Sequence, residues 1–352
     1  MYADDYKDEN GQYSTRNYLK RGMQLISFKL FTDLLKRCIP ECGSIRAGFL
    51  YLDFLWCLVR YRAIVYDYFY YHFWEKKACL RKTYVTKGYS RYIQRQFNAV
   101  GGVKFLYSKV EFNKAFAHFR TVDMFEFPGS YEMFETFVEK ANRKIIMKPI
   151  YGSSGRGIFI PDVSDKAKTW SLYNEYSCQD VYFAEGLFIQ TGPLSEINPS
   201  SVNTVRIYTV YDGKDVNIMN ALVRFGAPGS TTDNVGGGGM CCELDLDEGI
   251  IISPGYDSIG TRYVKNSATG KYVAGVRVPH WKAVIEFVKK AALVHPEVGY
   301  VGWDIAVSNE KIHLIEANEQ GNFNMPQRVL GRGIKAEYLR VIDKKRQNTK
   351  GA

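Results

Sequence analysis

Apolar residues recur along this chain with two different periods, and the change between them organises it. From residue 25 to residue 73 the spacing is helical, with a break at Pro40 and Gly43. The stretch 47–74 is crowded with Phe, Tyr, Trp and Leu and reads as a helix pair docked on a larger body. It does not read as a membrane span. Asp53, Arg60, Arg62 and Asp67 interrupt it, and its uncharged run 54–59 is far shorter than the ~20 apolar residues that cross a bilayer. An interfacial helix making peripheral membrane contact is the second reading, and not the favoured one. Residues 86–97 and 109–119 are again helical, with 105–107 a short strand candidate between them. Strand patterns then appear at 144–150, 157–161 and 181–190, the last two separated by a helical stretch over 162–180. Strands and turns alternate through 205–211, 216–224, 241–246 and 249–252, with hairpin signals at Asp212-Gly213 and Asp247-Glu248-Gly249. An amphipathic helix over 279–294 precedes a strand pair at 301–307 and 311–317 that turns at Ser308-Asn309-Glu310. Residues 1–20 are polar and read as a mobile end; a helical tail closes on the basic run Lys344-Lys345-Arg346.

Composition narrows the classes. A chain of 352 residues can bury a sizeable core in two or three units, and 46% hydrophobic with 15% aromatic content argues for a folded one. The net charge of +10 suits nucleic acid, anionic lipid or phosphorylated substrates. No helix-turn-helix, zinc-finger spacing or RNA-binding aromatic signature is present, so phosphorylated small molecules fit best and no nucleic-acid partner is expected. Residues 1–10 are acidic and polar, unlike a secretory leader, so a cytoplasmic location with reduced thiols is expected for the seven cysteines. Neither Cys38 with Cys42 nor Cys241-Cys242 has the matching second pair that a zinc site needs.

Two segments carry chemistry. Residues 144–160, KIIMKPIYGSSGRGIFI, run from an apolar strand bearing Lys148 into a loop of glycines and serines, then into a second apolar run. Glycines let backbone N–H groups turn toward a ligand, and clustered amides bind anions. With no G-K-[ST] ending and no helix after it, this is no Walker loop but a strand–loop–strand lid over phosphates. Residues 299–318, GYVGWDIAVSNEKIHLIEAN, place Asp304 on one strand and Glu316 with Asn318 two residues apart on the next, hence on one face. Three oxygen donors on paired strands suit a hard cation such as Mg2+, and a carboxylate set among apolar neighbours is expensive unless paired or metal-bound.

In this order the chain resembles the ATP-grasp superfamily, and more narrowly its sugar-transfer-associated branch, encoded among bacterial surface-polysaccharide genes. The resemblance covers residues 84–330. It includes Ser201-Val202-Asn203-Thr204-Val205-Arg206, Arg224-Phe225-Gly226, Asp233-Asn234 before the glycines 236–239, and Glu316-Ala317-Asn318 with a trailing Gln327. It implies an α+β ATP-grasp fold, two α/β subdomains clamping ATP, beside an N-terminal helical region. The units expected are 1–83 (helical), 84–192 (N-terminal and lid subdomains), 193–345 (C-terminal subdomain) and a tail, 346–352.

The resemblance also implies roles. Asn113-Lys114 matches the family's pattern of a helical lysine that reaches the nucleotide phosphates. Backbone groups of Phe188, Ile189 and Gln190 would read the adenine edge, with Ile146, Ile158 and Phe188 as the ring's walls. Many relatives carry glutamate where this chain has Gln190, which leaves the side-chain contact to the exocyclic amine open. Lys148 and Lys114 would hold phosphate oxygens, and the amides of Gly152, Ser153, Ser154, Gly155 and Gly157 would cap them. Asp304, Glu316 and Asn318 would carry Mg2+, while Arg206 and Arg224 would stabilise the transferred group or the substrate carboxylate. No general base is evident; His280 and His313 are present, the latter read as structural. The implied activity is an ADP-releasing carboxylate–amine ligase working through an acyl phosphate, with carboxylate and amine substrates linked to a sugar or polysaccharide precursor. A small-molecule kinase and a non-catalytic ATP-binding component of a glycan assembly complex are the alternatives. The acceptor pocket is expected from residues 226–240, 320–327 and the N-terminal helices.

Overall fold

The computed structural model describes residues 27–99, 104–152, 155–319 and 321–350. The polar segment 1–20, the lid serines Ser153 and Ser154, and Gln320 lie outside the described residues.

Two antiparallel sheets organise the chain. The smaller contains β1 (Met124–Glu126), β2 (Ile145–Pro149) and β3 (Tyr182–Gly186) in the order β1-β3-β2. Phe125, Ile145, Met147 and Ala184 on its apolar face bury against Phe134, Phe137, Val138 and Leu172 of two covering helices, Tyr131–Lys140 and Lys166–Tyr176. Those helices start where a side chain satisfies an orphan backbone donor. Ser130 Oγ accepts from the Met133 N–H and Asp165 from the Lys168 N–H. Because side chains alternate along a strand, Ile146, Lys148 and Glu185 fall on the opposite, open face.

The larger sheet contains β4 (Thr204–Tyr211), β5 (Val216–Phe225), β6 (Met240–Glu243), β7 (Gly255–Tyr256), β8 (Arg262–Tyr263), β9 (Tyr300–Val307) and β10 (Ile312–Asn318). Their order is β10-β9-β4-β5-β6-β7-β8. Val205, Ile207, Val223, Trp303 and Ile305 pack on one face against the helix Trp281–Ala292. Tyr208, Val210, Leu222 and Tyr300 pack on the other against helices Lys87–Phe97, Asn324–Val329 and Lys335–Lys350. Arg206, Arg224 and Asp304 alternate with the first set and so share the second side. A register shift between Leu314 and Glu316 sets Glu316 directly across from Asp304 and Asn318 across from Gly302. Bulges of this kind re-aim side chains beside functional sites.

The N-terminal helices Phe28–Cys38, Ser44–Tyr61 and Val65–Tyr70 enclose an aromatic cluster of their own around Phe31, Phe54, Tyr68 and Phe69. The helical region is tied to the body through Gln327. Its amide donates to Tyr71 Oη at 2.7 Å and to the Val85 carbonyl at 3.0 Å, and its oxygen accepts from the Val85 N–H at 2.7 Å.

The structure departs from the sequence pattern in several places. Residues 105–107 form part of a 3-10 helix, Lys104–Tyr107, since a three-residue apolar run sets no period of its own. The second lid strand, 157–161, is reduced to one bridge between Met147 and Phe159. Gly155 and Gly157 are left-handed, at φ 70° and 73°, and Pro161 offers no N–H. Residues 249–252 likewise pair only through isolated bridges. The expected loop 320–327 turns into the helix Asn324–Val329. Within the expected stretch 84–192, two groups of residues pack apart. Val85, Ile93 and Phe97, and also Phe112 and Phe116, bury on the seven-stranded sheet, whereas residues 124–186 build the smaller sheet and its helices.

Candidate functional site

The two open faces look at each other across a cleft of about 1110 Å³. Lys148 and Glu185 line it from the smaller sheet, Arg206, Arg224, Asp304 and Glu316 from the larger. Helix Phe28–Cys38, Tyr66 and Tyr70 close its far end, where the Arg328 guanidinium lies 5.1 Å from the Tyr70 ring centre. Arg328 donates to the Ser258 carbonyl, and its Nε is buried without a hydrogen-bond partner, leaving one donor available to a substrate anion.

On the smaller sheet a single carboxylate holds three donors. Glu185 Oε2 accepts from Lys148 Nζ, and its Oε1 accepts from Arg120 Nη2 and from Asn113 Nδ2. Burial pushes the Glu185 carboxyl up, but the Lys148 and Arg120 charges outweigh it and hold the group at about 2. Two cations on one anion leave this corner positive, which suits a polyphosphate. The base of the lid is anchored beside it: Lys109 Nζ donates to the Pro149 carbonyl at 3.1 Å and to the Gly152 carbonyl at 2.8 Å. Farther along the lid, a Cβ built on Gly155 would come within 2.9 Å of Thr232 Cγ2. The lid therefore meets the second glycine-rich loop, 226–239, and the absence of a side chain permits that approach.

On the larger sheet, Asp304 is 1% exposed and holds two guanidinium groups. Arg206 binds it through Nε and, at 2.7 Å, through Nη2; Arg224 Nη2 reaches Oδ2 at 2.9 Å. Burial raises the Asp304 carboxyl, but Arg206 and Arg224 hold it at about 2. Arg224 is shared: its Nη2 also donates to Thr204 Oγ1 at 2.8 Å, and its Nε lies 3.2 Å from Asp233 Oδ2. Glu316, across from Asp304, is raised by burial and then by the Asp304 charge, and its Oε1 accepts from Asn318 Nδ2 at 2.9 Å. Among the described residues no group of three or more His, Cys, Asp or Glu converges as a metal site. The wall instead offers two carboxylates and one amide. That donor set suits Mg2+, which binds through one or two carboxylates and keeps waters and phosphate oxygens as its other ligands.

The sequence-derived residues separate into two groups. Lys148, Gly152, Gly155, Phe188, Arg206, Arg224, Asp304, Glu316 and Asn318 line the cleft together, as do the wall residues Ile146 and Ile158. Lys114 does not reach it. Its Nζ lies 3.0 Å from Glu126 Oε2, on the solvent side of the helix Lys109–Ala115, while its neighbour Asn113 is the inward residue. Ile189 is 48% exposed. The Gln190 side chain is spent on structure: its amide donates to the Asn203 and Val307 carbonyls at 2.8 and 3.0 Å, and its oxygen accepts from the Asn203 N–H at 2.8 Å. Glu185 and Arg120 stand in this cluster without having been singled out by the sequence, whereas Thr204 and Asp233 lie in its quoted motifs without an assigned role. Glu185 carries the same signal that exposed Asp304, a carboxylate inside the apolar run Tyr182-Phe183-Ala184-Glu185-Gly186-Leu187.

His313 also lines the cleft, its ring stacked on Phe188 at 5.1 Å. Nδ1 accepts from the Thr121 N–H at 2.8 Å, so the neutral ring carries its proton on Nε2. Burial, then Arg120, lowers it from the usual 6.5 to about 3. A depressed imidazole contributes stability that is fully present above the unfolded value and is lost as pH falls from 6.5 toward 3. His313→Gln, which keeps an acceptor for Thr121, is expected to flatten the acid slope of urea-unfolding stability between pH 6.5 and 4.5. The flattening is up to about 1.4 kcal/mol per pH unit; an unchanged slope would show that the ring titrates normally.

Comparison with known proteins sets this geometry in a family. A family model described as sugar-transfer associated ATP-grasp matches residues 84–344. No curated protein matches the chain. Among solved structures, the D-alanine–D-alanine ligase from Bacillus anthracis is 14% identical, with 75% of this chain and 77% of that chain covered and a TM-score of 0.39. The N5-carboxyaminoimidazole ribonucleotide synthetase from Thermotoga maritima is 8% identical, with 72% and 55% covered and a TM-score of 0.42. The ATP-grasp ligase PsnB, complexed with a phosphomimetic variant of its minimal precursor, Mg and ADP, is 13% identical, with 71% and 61% covered and a TM-score of 0.41. This chain thus spans less than two thirds of the length of PsnB. The family match takes in both sheets, the lid and the wall of Asp304, Glu316 and Asn318: the chain belongs to the sugar-transfer-associated ATP-grasp family.

Proposed function

We propose that the chain is an ATP- and Mg2+-dependent ligase that joins a carboxylate to an amine, releasing ADP and phosphate. The acceptor would be a sugar or polysaccharide precursor, and a cytoplasmic site of action goes with this reading. One observation carries it. A lysine held by a buried glutamate on one wall faces two carboxylates and an amide on the other, and a lid of left-handed glycines lies between them.

The adenine has flat apolar walls in Ile146, Ile158 and Phe188. Because the Gln190 side chain is occupied, backbone groups alone would read its edge. Glu185 fixes Lys148 in place, so its charge meets the phosphates without reorganisation. Asp304, Glu316 and Asn318 would hold Mg2+, which when bound neutralises phosphate charge. The substrate carboxylate oxygen bonds to the γ-phosphorus as the bond to the β–γ bridging oxygen breaks and ADP leaves. The amine then attacks the acyl carbon of the acyl phosphate, phosphate departs, and the amine proton passes to solvent. Arg206 and Arg224, which line the cleft, would receive the charge that develops on the transferred group, and Arg328 would seat an anionic part of the substrate. No strong base is required, because an acyl phosphate reacts with a free amine directly.

The test is ADP release from Mg-ATP with pooled amino acids, amines and nucleotide sugars, and mass spectrometry of the mixture. ADP, free phosphate and a condensed product together are the expected result. ADP with a phosphorylated product and no free phosphate would replace the ligase with a kinase. Tight ATP binding without turnover on any pool would favour a non-catalytic ATP-binding component.

A further inference from the structure

Among the described residues, the helix Ser44–Tyr61 has one buried side and one bare side. Phe54 and Cys57 are fully buried, with the Phe54 ring 5.6 Å from Phe31 and 5.8 Å from Tyr68. On the other side Ile45, Phe49, Leu52, Trp56 and Val59 are 82%, 69%, 63%, 60% and 79% exposed. At 3.6 residues per turn these five fall within an arc of roughly 80°, in a stripe about 21 Å long. Exposed large apolar residues are ordinary when scattered singly; a contiguous row marks a surface that something covers.

The charges around the stripe indicate what covers it. The fully charged residues on the helix's exposed side are Arg46 and Arg60, one near each end. The helix's acid, Asp53, is not available to a partner. Arg81 Nη1 binds it at 2.6 Å and Tyr68 Oη donates to it at 2.9 Å. That same ion pair fastens the segment 77–82 beside the helix, adding exposed Lys77 and Lys82 and Leu80, which is 52% exposed. A second copy of the chain is a poor match, because either direction of two-fold pairing along this face sets arginine against arginine with no acid between them. The exposed acids flanking these segments, Glu41 and Glu75, are outnumbered by Arg46, Arg60, Lys77 and Lys82, and an apolar stripe with a net positive margin matches an anionic bilayer surface. Among the described residues no helix is long and apolar enough to cross a membrane, so the contact would lie in the headgroup region.

We propose that this face is a membrane-docking surface: helix Ser44–Tyr61 lies in the plane of an anionic lipid bilayer, with Phe49 and Trp56 inserted and Arg46 and Arg60 on lipid phosphates. It stands independently of the reaction proposed above. The placement has a consequence for it nonetheless. Helix Phe28–Cys38 packs Phe31 against Tyr51 and Phe54 of the docking helix, while its Leu30 and Asp33 line the far end of the cleft. One helix therefore separates the bilayer seat from the substrate end.

Sedimentation of the full chain with vesicles tests the assignment. Vesicles of equal parts phosphatidylglycerol and phosphatidylcholine are expected to bind it, more weakly as salt is raised, and vesicles of phosphatidylcholine alone are expected to bind it far less. Phe49→Glu and Trp56→Glu, both at exposed positions that leave the aromatic cluster intact, are each expected to lower the partition coefficient about tenfold or more. Ile252→Glu, at a 55% exposed apolar position elsewhere, is the control and should bind like the parent. No binding to the anionic vesicles would overturn the proposal, and so would binding that Phe49→Glu and Trp56→Glu leave intact. A dimer dissolved by those two substitutions would overturn it as well, by showing that a second copy covers the stripe.

Discussion

Asp304→Asn is expected to abolish ADP release and to lower stability by about 3–5 kcal/mol, the cost of removing one partner from a buried ion pair. The reason is the ratio of charges. One carboxylate, 1% exposed, serves Arg206 through two nitrogens and Arg224 through a third. An asparagine offers one acceptor and turns an NH2 group toward one of the guanidinium groups. Arg206 then has no carboxylate at hydrogen-bond distance, and Arg224 retains only Asp233 and Thr204. Both arginines are lowered by burial, but the carboxylates raise them further, so neither escapes the loss by shedding its proton. The pH dependence gives a second readout. Asp304 is depressed to about 2, so its contribution is present above the unfolded value of 3.8 and is lost as pH falls toward 2. Urea unfolding of wild type and variant should therefore differ most near neutrality and converge in acid. A variant as stable as wild type at pH 7 would refute this account of the cluster.

The same cluster shows where sequence reasoning reaches and where it stops. Asp304, Glu316 and Lys148 stand out in the sequence because each is a charge on an otherwise apolar strand, and period 2 puts Glu316 and Asn318 on one face. What the sequence does not carry is which charges meet. Arg206 and Asp304 are 98 positions apart, and Lys148 and Glu185 are 37 apart. Reading residue by residue assigns Asp304 to a metal and the arginines to a substrate, whereas strand pairing makes all three one ion cluster first. Under the proposed reading, Asp304 would serve the arginines and a metal together.

Lys114 failed for a local reason. Neighbouring helical residues point about 100° apart, so once Asn113 turns inward to Glu185, Lys114 turns out to Glu126. Gln190 lies at the expected strand end, but its amide fits the Asn203 backbone so completely that it has nothing left for a ligand. Strand β1, three residues long, is too short to show a period, although it closes the edge of the smaller sheet. The aromatic segment 47–74 declares its helices clearly. It could not declare which side is bare, because both sides of the helix Ser44–Tyr61 are apolar, and only the packing of Phe54 and Cys57 decides.

Glu316→Gln is expected to act in the opposite sense on stability and in the same sense on activity. Turnover should fall about 10²–10³-fold, the usual cost of removing one preorganised electrostatic contact to a transferring group. Stability at neutral pH should rise. The Glu316 carboxyl is raised by burial and then by the facing Asp304; Asn318 and Arg206 pull it down only in part. A raised acid binds its proton more tightly folded than unfolded. Its contribution is therefore favourable below the unfolded value of 4.5 and is lost as pH rises through the folded one. At pH 7 the wild type bears that loss, and glutamine, which keeps an acceptor for Asn318 Nδ2, does not. The stability gain of the variant should accordingly shrink to nothing as pH is lowered past 4.5. Mg-ATP should reverse the ranking, because a ligand that binds only the folded state stabilises it by mass action and the variant has lost one of its anchoring charges. A structural glutamate would give the contrary pattern, with stability lost on substitution and no dependence of the difference on Mg-ATP. Thermal unfolding of both proteins at pH 7, with and without Mg-ATP, separates the two.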